Sequence, residues 1–206
     1  MKHKHTHYIY ASFALLLFVA LGYMVKFYPE ALTGFDSNIQ TWVRGDLPGG
    51  LTAFFKMITT LGNTSVQAVI AILAVIWLYL RQYKAEAIFV GTSGVLASIM
   101  IMSLKYIYQR PRPSITHLVH AGGYSFPSGH SLGTFMILGA IAIVLTQRLV
   151  KKAAKTAVYG ITGLLIFLVG LSRIYVGVHY PTDVLAGFTL AFGLLNAIYP
   201  TYDRIR

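Results

Sequence analysis

Apolar residues along this chain come in long blocks rather than in alternation. Six intervals contain no Asp, Glu, Lys or Arg: Tyr8–Val25, Met57–Leu80, Ala87–Leu104, Ser131–Gln147, Thr156–Ser172 and Val184–Tyr202. A helix that crosses a bilayer needs about 20 predominantly apolar residues, with a range of roughly 17–25, and each interval is near that length. Backbone groups in hydrocarbon must bond within their own segment, which selects helices. The period-2 alternation of a membrane barrel is missing. The pattern predicts an all-α polytopic membrane protein with six transmembrane helices. The second interval is irregular, because Gly62-Asn63-Thr64 interrupts it. Its span is expected over Ser65–Leu80, with Leu51–Leu61 along the interface, Phe54 and Phe55 in lipid and Lys56 in water.

Composition agrees with the pattern. The chain is 56% hydrophobic and 11% charged, against about 25% charged in a typical soluble domain. Nothing in it reads as an internal linker, so residues 1–206 are expected to form one domain. Lys2 and Lys4 ahead of an apolar stretch resemble the start of a signal peptide, but Tyr23-Met24-Val25-Lys26 offers no small-residue cleavage site. An uncleaved first span is the better reading. The absence of cysteine excludes disulfides, thiol nucleophiles and Cys-ligated metals. A net charge of +11 raises the question of nucleic acid, yet no basic arm or recognition module is visible. In a membrane protein, excess Lys and Arg more simply reflects orientation and contact with anionic lipid.

With the N-terminus in the cytoplasm, the cytoplasmic segments hold ten basic residues and the outside holds seven: Lys26, Arg44, Lys56, Lys105, Arg110, Arg112 and Arg173. Setting aside Lys105, Arg112 and Arg173 as chemistry makes it ten against four. The positive-inside rule then predicts both termini in the cytoplasm, and the longer loops Phe27–Thr64 and Lys105–His130 outside.

Three clusters carry candidate chemistry: Lys105 to Pro113, Tyr124 to Ser131, and Ser172 to Asp183. In a six-helix layout they fall at the end of the third span, the start of the fourth, and the junction of the fifth and sixth. All three lie on one membrane face, which the hydropathy argument did not require. Two Arg and one Lys suit a phosphoryl group, because the planar Arg fork matches its oxygens. Pro127-Ser128-Gly129 precedes an apolar helix, so its amides and the helix dipole can face an anion. His130 and His179 add proton transfer and nucleophilicity.

The spacings Lys-x6-Arg-Pro, Pro-Ser-Gly-His and Ser-Arg-x5-His-x3-Asp resemble the three signature motifs of the type 2 phosphatidic acid phosphatase superfamily. They are matched here by Lys105/Arg112-Pro113, Pro127–His130 and Ser172-Arg173/His179/Asp183. The resemblance implies a lipid phosphatase with His179 as the nucleophile that forms a phosphohistidine. Asp183 would hold the other imidazole nitrogen, and His130 would protonate the leaving alkoxide and then activate water. Lys105, Arg112 and Arg173 would bind the phosphoryl oxygens, with Ser128 and the Gly129 amide completing the cradle. No metal or other cofactor is implied. The first expected substrate is phosphatidylglycerophosphate, then undecaprenyl diphosphate, with phosphatidic acid also acceptable. Transfer of the phosphoryl group to another lipid would use the same intermediate.

Duller readings compete for single residues. Arg110 reads as an interfacial anchor whose head snorkels to lipid headgroups. His117 and His120 read as hydrogen-bond partners or parts of a mobile loop, and His3, His5 and His7 as a mobile tail. Asp183 can also cap the last helix, since Pro181-Thr182-Asp183 is good N-terminal chemistry. Gly129 and Gly133 form a small-xxx-small pair suited to close helix packing. A non-enzymatic lipid-binding or transport protein on the same scaffold is expected to have lost its nucleophile or acid, and this chain keeps both. A vanadate-dependent haloperoxidase shares the motifs but is soluble by resemblance.

Overall fold

The computed structural model describes residues 4–206, so Lys2 and His3 lie outside the described residues. Among those described, the chain forms eight helices and no strand: α1 (Lys4–Phe27), α2 (Pro29–Arg44), α3 (Gly49–Thr60), α4 (Thr64–Leu80), α5 (Lys84–Tyr108), α6 (Gly129–Arg148), α7 (Lys152–Tyr175) and α8 (Pro181–Ile205). Five of them (α1, α5, α6, α7 and α8) are long and apolar enough to span a membrane. Helices α3 and α4 pass the same test together and meet at a 49° bend, so the candidate spans number five, or six with the bent pair counted as one. The bend falls at Leu61–Asn63, the interruption visible in the sequence.

Helix α6 is the central post, packed by α4, α5, α7 and α8, while α1 lies along α8. Its buried positions Leu132, Met136, Ala140 and Val144 recur every four residues, which keeps one stripe turned to the neighbours. Close approach to α4 depends on Gly133: a Cβ there would fall 2.1 Å from Gln67 Oε1. At one end of the bundle Tyr108 and Phe18 pack on Phe126, with ring centroids 4.7 and 5.8 Å away. This aromatic floor supports the segment leading into α6. At the other end Arg148 pairs with the buried Glu86 and lies over the Tyr83 ring.

The structure corrects three expectations. Phe27–Thr64 is not a loop but carries α2 and α3. Helix α2 starts with Pro29 at its first turn and buries Leu32, Asp36 and Gln40 on one face, leaving Phe35 and Trp42 exposed on the other. Phe55 does not face lipid, because it stacks on Tyr175 at 4.5 Å. His7 is not in a mobile tail: it lies in α1, with Nδ1 2.8 Å from Asn196 Oδ1 and its ring against Tyr199.

Candidate active site

The three motif clusters converge at the end of the bundle formed by the C-termini of α5 and α7 and the N-termini of α4, α6 and α8. The connection from α7 to α8 is short, Val176–Tyr180, and it carries His179. Gly177 turns it with φ +82°, in the left-handed region, and a Cβ there would fall 2.1 Å from Arg44 Nη1 and 2.8 Å from the Thr116 carbonyl. Only glycine combines that φ with that closeness.

His179 is almost fully buried. Its Nδ1 lies 3.3 Å from Asp183 Oδ2, and its Nε2 lies 3.3 Å from Arg112 Nη1. Guanidinium can only donate, so Arg112 fixes the tautomer: Nε2 holds the lone pair, and Nδ1–H donates to Asp183. Asp183, at the start of α8, also accepts from the Tyr180 N–H at 3.0 Å. It caps the helix and orients the imidazole at once.

Burial pulls the His179 imidazole down to about 4, against the opposing pull of Asp183, with the Arg173 and Arg112 charges adding to the depression. The free base therefore prevails at neutral pH. Folding favours that neutral form, so this contribution to stability is complete above the unfolded value of 6.5 and is lost as pH falls from there towards 4. The loss is roughly 3 kcal/mol. Thermal melting between pH 7 and pH 4.5 should show it, and His179→Gln should flatten that dependence.

The cations surround this histidine. Arg112 Nη1 also donates to the Val178 carbonyl at 2.6 Å, while its Nε and Nη2 donate to the Gly123 and Gly122 carbonyls. Lys105 Nζ donates to the Tyr124 carbonyl at 2.7 Å. Arg173 Nη1 donates to Thr59 Oγ1 at 2.6 Å, and its Nε is buried without a partner. A buried, orphaned guanidinium N–H is costly, and an anionic oxygen would satisfy it. Ser128 is buried as the N-cap of α6, its Oγ accepting from Ser131 N and Ser131 Oγ. The Ser128 N–H donates to the Asp183 carbonyl at 3.1 Å, tying this turn to α8. The first amides of α6, at Gly129 and His130, have no partner inside the helix. His130 lies within electrostatic reach of Arg173, His179, Lys105 and Arg112.

Arg110 is the clearest departure from expectation. It is not a snorkelling anchor but a buried clamp: Nη2 donates to Asp36 Oδ2 at 2.8 Å, and Nη1 donates to Asp183 Oδ1 at 2.6 Å. Asp36 and Asp183 are 2% and 0% exposed. Among the described residues no other Lys or Arg makes an ion pair with either carboxylate, so the two depend on this partner. Asp36 further accepts from Thr182 N and Thr182 Oγ1, and the Arg110 guanidinium sits 3.9 Å from the Tyr180 ring centroid. Helix α2 continues the clamp, since Gln40 Nε2 donates to the His179 carbonyl and Arg44 to the Tyr175 and Thr116 carbonyls. Asp36, Gln40 and Arg44 recur every four residues, the spacing of one helix face. That periodicity is the signal that would have found α2. His117 and His120 belong to the loop after α5, where His117 Nε2 lies 2.9 Å from the Pro113 carbonyl. Among the described residues, no three His, Asp or Glu side chains group as a metal site.

Comparison with known proteins points the same way as this geometry. A family model described as the PAP2 superfamily matches residues 86–206. Phosphatidylglycerophosphatase B of Bacillus subtilis is 38% identical over 117 residues, covering 56% of this chain and 56% of that protein. Undecaprenyl-diphosphatase BcrC of the same organism is 32% identical over 148 residues, covering 69% of this chain and 72% of that protein. Among solved structures, a transmembrane PAP2-type phosphatidylglycerolphosphate phosphatase from Bacillus subtilis superposes with a TM-score of 0.85 at 29% identity, covering 95% of this chain and 97% of that one.

Proposed function

The chain belongs to the PAP2 superfamily as a multi-pass membrane lipid phosphatase, and from that premise we propose that it hydrolyses phosphatidylglycerophosphate through a covalent phosphohistidine on His179. The observation that carries the mechanism is the tautomer set by Asp183 and Arg112, which puts the lone pair on Nε2, beside the Arg112 and Arg173 charges, and frees it for phosphorus when Arg112 turns to the phosphoryl oxygens. In the first step Nε2 bonds to phosphorus and the P–O bond to the glycerol oxygen breaks. His130 gives that oxygen a proton. In the second step His130 takes a proton from water, the water oxygen attacks phosphorus, and the P–N bond breaks to release phosphate. Arg173 supplies its unpaired Nε–H to the phosphoryl group, while Lys105 and Arg112 exchange backbone carbonyls for its oxygens. Ser128 and the Gly129 amide close the remaining side.

A lipid substrate suits the surroundings. An apolar groove of about 640 Å³ runs between α4 and α5, lined by Ala71, Val75, Gly91, Val95 and Ile101, and it begins at Thr64 and Gln67. Gln67 Nε2 donates to the His130 carbonyl, so groove and site meet. Residues 1–206 act as one domain in this reading. The charge bias puts both termini in the cytoplasm and the site on the extracytoplasmic side.

The chosen lipid follows the phosphatidylglycerophosphate phosphatase whose structure superposes over nearly the whole chain. Undecaprenyl diphosphate is the second reading, favoured by the larger share of this chain that BcrC matches. Phosphate release by the purified protein from phosphatidylglycerophosphate, undecaprenyl diphosphate and phosphatidic acid decides between them. The highest kcat/KM is expected with phosphatidylglycerophosphate. A higher value with the diphosphate would replace that assignment.

A further inference from the structure

Asn63 occupies the N-cap position of α4 but makes no capping hydrogen bond. Asparagine is among the best N-cap residues because its side-chain oxygen ordinarily accepts from the first amides of the helix. Here that oxygen is used elsewhere, with Oδ1 3.1 Å from His130 Nε2. Gly62, one residue earlier, brings the backbone against the same ring: a Cβ there would fall 2.5 Å from His130 Cδ2 and 2.8 Å from Val169 Cγ1. The next turn of α4 holds the backbone of His130 through Gln67. The bend between α3 and α4 is thus shaped around one imidazole.

From these contacts we infer that Asn63 is a positioning residue for His130, holding Nε2–H so that Nδ1 alone carries the proton exchanged with the leaving group and with water. This rests on the acid–base role given to His130 above. The carboxamide oxygen is an acceptor, so Nε2 keeps its hydrogen through the whole cycle. In the first step Nδ1–H passes to the departing alkoxide, and the ring becomes neutral with its lone pair on Nδ1. In the second step Nδ1 recovers a proton from the attacking water, and the starting state is restored.

The type of acceptor also separates the two histidines. His179 leans on a carboxylate, Asp183, which enriches the ring as a nucleophile. His130 leans on a neutral amide, which orients the ring without adding a charge that would hold the proton back. The difference fits one ring that must attack phosphorus and another that must give a proton away.

The test uses the full-length protein in detergent with two substrates, a lipid phosphate monoester and p-nitrophenyl phosphate. The leaving group of the second departs without a proton, so a fault in the general acid weighs less on it. For Asn63→Ala, kcat/KM, which covers the steps up to departure of the leaving group, is expected to fall about 10²-fold with the lipid and less than about tenfold with p-nitrophenyl phosphate. The melting temperature should stay at the wild-type value, since no cap is lost. Asn63→Asp keeps an acceptor in place and should retain more activity on the lipid than the alanine variant. Equal losses on both substrates, no loss on the lipid, or a lowered melting temperature would overturn the inference. His130→Ala in the same assay separates the levels. A leaving-group split in His130→Ala without one in Asn63→Ala removes only the role of Asn63. Its absence from both removes the acid–base role of His130 itself.

Discussion

His179→Ala is expected to lower phosphate release by about 10⁴-fold or more, because substitution of a covalent nucleophile removes the reaction path rather than one contact in it. The loss should appear in kcat with every substrate, including those with good leaving groups. The folded protein should persist, since the backbone bonds of the loop, from Val178 and His179 N–H to the Arg173 carbonyl, do not use the imidazole. Asp183→Asn is a weaker companion change. It keeps the shape of the side chain but offers an uncharged partner to His179 Nδ1, and Arg110 loses one of its two carboxylates. Phosphate release measured beside circular dichroism in detergent separates loss of chemistry from loss of fold.

The second large effect is expected at a residue that touches no reacting atom. Arg110→Met leaves Asp36 and Asp183 buried without their shared cation, and breaking a buried pair in this way costs about 3–5 kcal/mol. An interfacial anchor would cost within about 0.5 kcal/mol. Thermal or denaturant unfolding therefore distinguishes the two roles clearly. Arg110→Lys should recover only part of the loss, because a single ammonium cannot replace a planar fork that reaches two carboxylates at once. Arg110→Met/Asp36→Asn should be more stable than Arg110→Met alone, as one uncompensated charge has gone. Activity should fall with stability in this series, since Asp183 takes its position from Arg110 and gives His179 its tautomer.

Arg110 also shows where the sequence was legible and where it was not. The spans follow from intervals without charge, and the bend between α3 and α4 is visible as Gly62-Asn63-Thr64. The order of the motifs then brought three clusters to one end of the bundle. What escaped was the support of the site. Arg110 stands beside Pro111 at the end of a span, a place where Arg commonly snorkels, and nothing local announces a carboxylate more than seventy positions away in the chain. Helix α2 lies inside the segment Phe27–Thr64 that the charge pattern predicts as a loop, because hydropathy finds only segments that could span a membrane. Its meaning lies in period: Asp36, Gln40 and Arg44 share a face, and that face grips the turn carrying His179. In the sequence Asn63 marks only a break between apolar stretches, whereas in the structure its side chain is directed at His130. In each case a polar residue near a motif serves another residue, and only the tertiary structure supplies the partner.

Trapping the bond between phosphorus and His179 is the direct test of the covalent mechanism. The purified protein is mixed with a substrate labelled in its terminal phosphate and quenched in alkali within milliseconds, since phosphohistidine survives base and is lost in acid. Label is expected on the protein, mapping to the peptide that contains His179, vanishing after acid treatment and absent from His179→Ala. Turnover under the same conditions without such label, or label that persists in His179→Ala, would rule out a phosphohistidine at this position.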